Sequence, residues 1–196
     1  EAAAKSLPLL REAAALGPKA SRTLAELGWT MLRAGGDGAE TRARRVLERA
    51  ATLAGDNQEG SAAAAVDASV GAPPDIAARL GIARWREAVA EGEDTPAAAA
   101  GAAARGPGTP HAALLAAAAL EGPWRAAAFA HLGLVYAAGG DAVRAEKCHA
   151  RALSLDPSDP TAGPAACRTA ALTATEVDKP NSEAAGDAAA AAVYSI

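Results

Sequence analysis

Large apolar side chains are scarce in this chain. Its 196 residues include one Phe, two Tyr, three Trp and a single Met, and Leu, Ile, Val and Phe together number 30. Any hydrophobic core must therefore be thin. Two cysteines exclude a disulfide scaffold and a four-cysteine zinc site. Apolar runs are short as well. The longest, Ala112 to Leu120, is ended by Glu121-Gly122-Pro123 and falls well below the ~18 residues of a membrane span. Nor is there an excess of positive charge: the formal net charge is −4, which argues against general nucleic-acid binding. No segment alternates polar residues with β-branched or aromatic ones as a strand does. There is no phosphate-cradling loop ending in Gly-Lys-Ser/Thr, no dinucleotide fingerprint and no nucleophile-elbow serine. No catalytic, cofactor-binding or metal-binding residue is assigned, and the protein reads as non-enzymatic.

What the chain does have is alanine, 61 residues of it, together with 19 Gly and 12 Pro. Alanine loses no side-chain entropy in a helix, and Gly and Pro punctuate helices. The pattern predicts an all-α protein with helices over 1–16, 20–34, 39–54, 60–70, 75–91, 96–105, 109–121, 124–138, 141–156 and 161–175. Asp37, Asp75, Thr109 and Asp141 stand where helix N-caps are wanted. Arg exceeds Lys by 15 to 4, as in a GC-rich genome, so codon supply accounts for part of the aromatic scarcity. The chain opens at Glu1 without Met, which reads as a processed or truncated start. From Glu176 it becomes polar and then alanine-rich, and 176–196 reads as a tail whose order must come from a partner.

Self-similarity then narrows the architecture. Leu27-Gly28 through Gly35-Gly36-Asp37 resembles Leu132-Gly133 through Gly139-Gly140-Asp141. Each is followed by Arg-Ala, at Arg42-Ala43 and Arg144-Ala145, and later by Arg49-Ala50 and Arg151-Ala152. Gly28 and Gly133 lie 105 residues apart, three units of about 35. Residues 126–159 resemble a tetratricopeptide repeat (TPR) through Phe129, Leu132-Gly133, Tyr136, Gly140, Ala145, Ala152-Leu153 and Pro157. His149 departs from the family pattern, which prefers a large apolar residue there. Residues 21–57 resemble the same repeat, with Met31 in place of the aromatic and Gly55 in place of the closing proline. Residues 6–18 look like the second helix of an earlier repeat, and 59–125 has room for two more, with Trp85, Ala88 and Val89 resembling a second helix.

The resemblance implies a right-handed α-solenoid of TPR-like helix hairpins over 1–175, with a capping helix and the low-complexity tail. Family members hold proteins or peptides on a surface lined by their first helices. Carried over, that surface takes Arg22, Ala25, Trp29, Leu32 and Arg33 from one repeat and Ala127, Ala130, Leu134, Ala137 and Ala138 from the other. Arg22, Trp29, Arg33 and Leu134 are the candidate partner-binding residues. The Lys and Asn of the family's carboxylate clamp are missing. Trp29 has two readings, an interface anchor or a plug between repeats. Trp85 and Trp124 read as seals between repeats.

Other candidates are few. His111, His131 and His149 do not share a helix at i, i+4, and Cys148 diverges from His149 by about 100°. Cys148 and Cys167 lie on consecutive predicted helices. A disulfide between them would stabilise by ~3 kcal/mol; the alternative is two small buried thiols. Arg42, Arg45 and Arg49 form a stripe suited to an acidic protein surface, to anionic headgroups or simply to solvent, with Glu40 and Glu48 diluting its charge. The resulting functional expectation is a scaffold, an accessory or assembly subunit of a larger complex, without cofactor or nucleic acid. It would have no membrane span but would be able to associate peripherally with a membrane complex. An organellar photosynthetic or respiratory complex is the favoured setting. The alternatives are a free peptide-binding TPR adaptor and a bacterial exported TPR protein.

Overall fold

A computed structural model of the chain describes residues 2–55, 72–91 and 108–167. Among these residues the secondary structure is helical, with no strand, and no helix is long and apolar enough to cross a membrane. The helices are α1 (Ala2–Leu16), α2 (Ser21–Ala34), α3 (Ala39–Gly55), α4 (Pro74–Glu91), α5 (Pro110–Ala119), α6 (Arg125–Ala138) and α7 (Ala142–Leu155), followed by helical residues 162–167. Their bounds follow the Gly and Pro punctuation closely. Two of the four expected caps form: the Thr109 hydroxyl accepts from Ala112 N–H at 3.3 Å, and the Asp141 carboxylate from Arg144 N–H at 3.1 Å. Asp75 instead lies inside the first turn of α4, one residue after Pro74, where its charge suits the helix dipole. Gly35 and Gly36 close α2 at φ of 69° and 98°, a conformation L side chains rarely adopt. The expected helices at 60–70 and 96–105, the end of the capping helix and the tail 176–196 lie outside the described residues.

Consecutive helices pack on one another along the chain, and α4 also touches α2 and α6. Three helix pairs cross at a glycine. A methyl on Gly28 of α2 would stand 2.8 Å from Leu47 Cγ and 3.2 Å from the Ala43 carbonyl oxygen, both on α3. One on Gly133 of α6 would overlap the His149 ring of α7. These are the two glycines that sequence self-similarity pairs, and each occupies the same place against the following helix. The third crossing is Gly81 of α4, where a methyl would stand 2.7 Å from Leu114 Cγ on α5. Each of the three follows a leucine: Leu27, Leu80 and Leu132.

Of the stretch 59–125, where two further repeats were expected, the described residues 72–91 and 108–125 contribute α4 and α5, and the rest lies outside them. Trp85, Ala88 and Val89, read above as a second helix, lie on α4, the helix that carries Gly81. Leu80-Gly81 was the signal to follow.

The core is built from few large residues. Leu47, Ile76, Leu80, Ile82, Leu114, Leu132 and Val135 are fully buried, and the space between them is filled by alanines such as Ala43, Ala50, Ala78, Ala128 and Ala145. Small residues at the contacts compensate for short side chains, because the helix axes come closer. Ala130, Ala152 and Ala162 form a separate cluster, each with no exposed surface, where α6, α7 and residues 162–167 meet. Ala152→Leu is therefore expected to destabilise by ~1–3 kcal/mol through overpacking, read as a lower thermal midpoint. An unchanged melt would mean that this contact yields freely.

Candidate functional site

Arg22, Glu26, Trp29 and Arg33 recur at i, i+4, i+7, i+11, which places them on one face of α2. Arg22 and Arg33 are exposed and Trp29 is half-buried. An open cleft of about 440 Å³ lies beside Arg22, lined by Leu10 and Ala13 of α1, Thr23 and Glu26 of α2, and Asp75 of α4. Leu10 and Ala13 give the lining its apolar part, and Arg22, Glu26 and Asp75 bring both signs of charge to it.

Trp29 meets Trp124, the residue just before α6, edge to face, with ring centroids 5.2 Å apart at 87°. Arg79 of α4 lies against both rings, 4.7 Å from the Trp124 centroid and 6.0 Å from that of Trp29. Its Nη2 pairs with Glu26 at 2.6 Å, while Nε and Nη1 are buried without a hydrogen-bond partner. The indole faces are what stabilises the rest of that cation. Trp29 thus fills the gap between leading helices while keeping part of its surface outside. Glu26 and Arg79 were not among the sequence candidates. Their polarity pointed to solvent, and only packing brings Arg79 between two Trp residues distant in sequence.

Leu134, expected on the partner-binding surface, is only 7 % exposed and belongs to the core. The obstacle extends to α4. Every residue from Ile76 to Trp85 is buried, Arg79 and Arg84 included, so the leading helices do not line a continuous open groove. The accessible part of this face is the α2 end, with Arg22, Trp29 and Arg33.

A second charged cluster joins α3 to α4. Arg44 donates to both Glu48 oxygens, at 2.9 and 3.0 Å, and pairs with Glu87; Arg84 pairs with Glu48 at 3.5 Å. Burial works to lower the Arg44 pKa, but the hydrogen bonds and charges of Glu48 and Glu87 outweigh it and hold the pKa above its ordinary value. Glu48 is thereby turned away from the exposed Arg42, Arg45 and Arg49.

Each histidine has a packing role. His111 Nε2 and the Tyr136 hydroxyl are hydrogen-bonded at 3.0 Å between α5 and α6. His149 is 1 % exposed beneath Gly133, the place Leu47 holds beneath Gly28. His131 donates from Nδ1 to the Ala127 carbonyl at 2.9 Å. Burial of that imidazole lowers its pKa below 6.5, with Arg86 adding to the effect and the Ala127 carbonyl and Asp159 opposing it. Below pH 6.5 the unfolded chain then takes up a proton that the folded chain resists. The contribution of His131 to stability is complete above that pH and is lost as pH falls towards the lower folded value. Wild type is expected to lose more thermal stability between pH 7 and 5 than His131→Gln does. Equal losses would show that His131 does not set this dependence.

Both cysteines are free thiols. Cys148 is half-buried against the core and Cys167 is exposed, where the alternative to a cross-link had both thiols buried. Burial, with a further push from Asp141, raises the Cys148 pKa and keeps it a poor nucleophile. Among the described residues no cluster of His, Cys, Asp or Glu has the makings of a metal site. No protein-family profile matches the chain, and no curated protein or solved structure matches it either.

Proposed function

We propose that this protein is a non-enzymatic interaction scaffold, a TPR-like right-handed solenoid that serves as an accessory or assembly subunit of a larger complex. The observation that carries the reading is the recurrence of one device. Three helix pairs cross at the glycine of a Leu-Gly step, at Gly28, Gly81 and Gly133, and the leading helices α2, α4 and α6 touch in order. Hairpins that share such crossings bury their apolar faces by stacking on neighbours, and the end of the stack remains available to a partner. The exposed arginines of α2 beside a half-buried Trp29 have the composition of an interface hot spot, in which Trp and Arg dominate.

The burial of α4 favours a fixed subunit over a free adaptor that threads a peptide along its leading helices. The subunit would dock by its α2 end. An organellar photosynthetic or respiratory complex remains the proposed setting, on compositional grounds alone.

The test is native-gel migration of the tagged protein expressed in its own cells. Wild type should migrate in a complex far larger than its own 19.3 kDa. Arg22→Glu/Arg33→Glu should return it to the free form while keeping the isolated protein's melting temperature. Migration of wild type as a free 19.3-kDa chain would overturn the subunit reading. An unchanged complex in the double variant would overturn the assignment of the α2 face.

A further inference from the structure

The outer face of α3 carries a charge pattern that the α2 site does not use. Arg42, Arg45 and Arg49 are all exposed, and among the described residues their side chains form no ion pair or hydrogen bond. At 3.6 residues per turn they fall within an arc of about 60°, spread over about 10 Å of helix axis. The opposite face of α3 holds the buried Ala43, Leu47, Ala50, Ala51 and Ala54, so the stripe points directly away from the core.

In sequence, the stripe is diluted by Glu40 and Glu48. In the folded protein it is not. Glu48 is drawn sideways into the cluster with Arg44 and Arg84, and Glu40 lies about 160° around the helix from Arg45 and Arg49 on average. Three guanidinium groups are thus left uncompensated on a protein whose formal net charge is −4. Arg44, the fourth arginine of this helix, is used internally by Glu48 and Glu87, which separates the structural cation from the three free ones.

We infer that this stripe is a docking surface for an acidic helix of a partner protein, separate from the α2 face. Two features select a protein over an anionic membrane. The fully exposed residue beside the three arginines is Thr52, and the flanking Val46 and Leu53 are partly buried against the core, so little apolar surface is available to insert among lipid chains. All three cations are arginines, whose planar fork matches carboxylate pairwise, whereas a diffuse headgroup layer asks only for charge. Carboxylates at i, i+3 or i+4, and i+7 of an antiparallel helix would meet the three in register.

The experiment uses the whole chain and a fluorescent alanine-based helical peptide with three glutamates at i, i+3 and i+7, followed by fluorescence anisotropy at low salt. Wild type should bind it, although the protein's overall charge repels an acidic peptide. Arg42→Gln/Arg45→Gln/Arg49→Gln should weaken binding by about tenfold or more. The triple lysine variant, which keeps charge but loses the fork, should fall between the two. Arg22→Gln/Arg33→Gln should bind as wild type does, which keeps failure here distinct from failure of the α2 site. All three substituted arginines are solvent-exposed, so the variants should melt as wild type does. Absence of binding by wild type, or equal binding by the triple Gln variant, would overturn the proposal. So would binding to phosphatidylserine-containing vesicles with none to the peptide, which would assign the stripe to a membrane.

Discussion

Gly133→Ala should destabilise the α6–α7 pair by about 2–3 kcal/mol net, although alanine is the better helix former by ~1 kcal/mol. A methyl at this position would overlap Nε2 and Cδ2 of the His149 ring and stand 2.9 Å from Cε1. The ring is planar, and the residue is 1 % exposed, so it has nowhere to retreat. The comparison with Gly28→Ala is what makes the result informative. There the nearest atoms belong to the branched end of Leu47, which can shift by rotamer, and the propensity gain offsets much of the clash. Gly28→Ala should therefore cost ~1 kcal/mol or less. In a double-mutant cycle, His149→Ala should rescue Gly133→Ala and give a coupling of more than ~1 kcal/mol. Gly133→Ala melting at or above wild type would falsify the close crossing.

A second large effect is expected at Glu26. Arg79 has a side chain 9 % exposed, two buried nitrogens without hydrogen-bond partners, and Glu26 as its ion-pair partner. Glu26→Ala leaves that guanidinium charged between two indoles. Loss of one partner of a buried pair costs ~3–5 kcal/mol; the figure here is about 2–3, because Glu26 is 52 % exposed and water can take over part of its place. Replacing the cation tells a different story. Arg79→Met keeps the length, removes the stranded charge and should be nearly neutral, since a buried ion pair roughly balances its own desolvation cost. Arg79→Met should also restore most of the stability lost in Glu26→Ala. Urea midpoints of the two single variants and the double variant measure all three terms. A Glu26→Ala midpoint equal to wild type would show that the two Trp rings hold Arg79 without help.

Helix lengths and bounds were legible in this sequence because their signals are local. Gly35-Gly36 and Gly139-Gly140 stop helices by backbone geometry that needs no distant partner, and Thr109 and Asp141 cap within three residues. The crossings at Gly28 and Gly133 were legible too, since a Leu-Gly step followed by a Gly-Gly turn repeats within one chain. The equivalent step at Leu80-Gly81 lacks that turn, and its role appears only when Leu114 packs on it. The candidate site was half visible. Periodicity put Arg22, Trp29 and Arg33 on one face, but periodicity does not measure exposure, and Leu134 proved to be core. Which arginines would be solvated was a tertiary decision. Arg79 and Arg84 are buried because α4 is enclosed from Ile76 to Trp85, while Arg86 just beyond is exposed, and a buried guanidinium persists only where a carboxylate or aromatic face from another helix meets it. Arg42, Arg45 and Arg49 remain in water because α3 has a single neighbour-facing side and they stand opposite it.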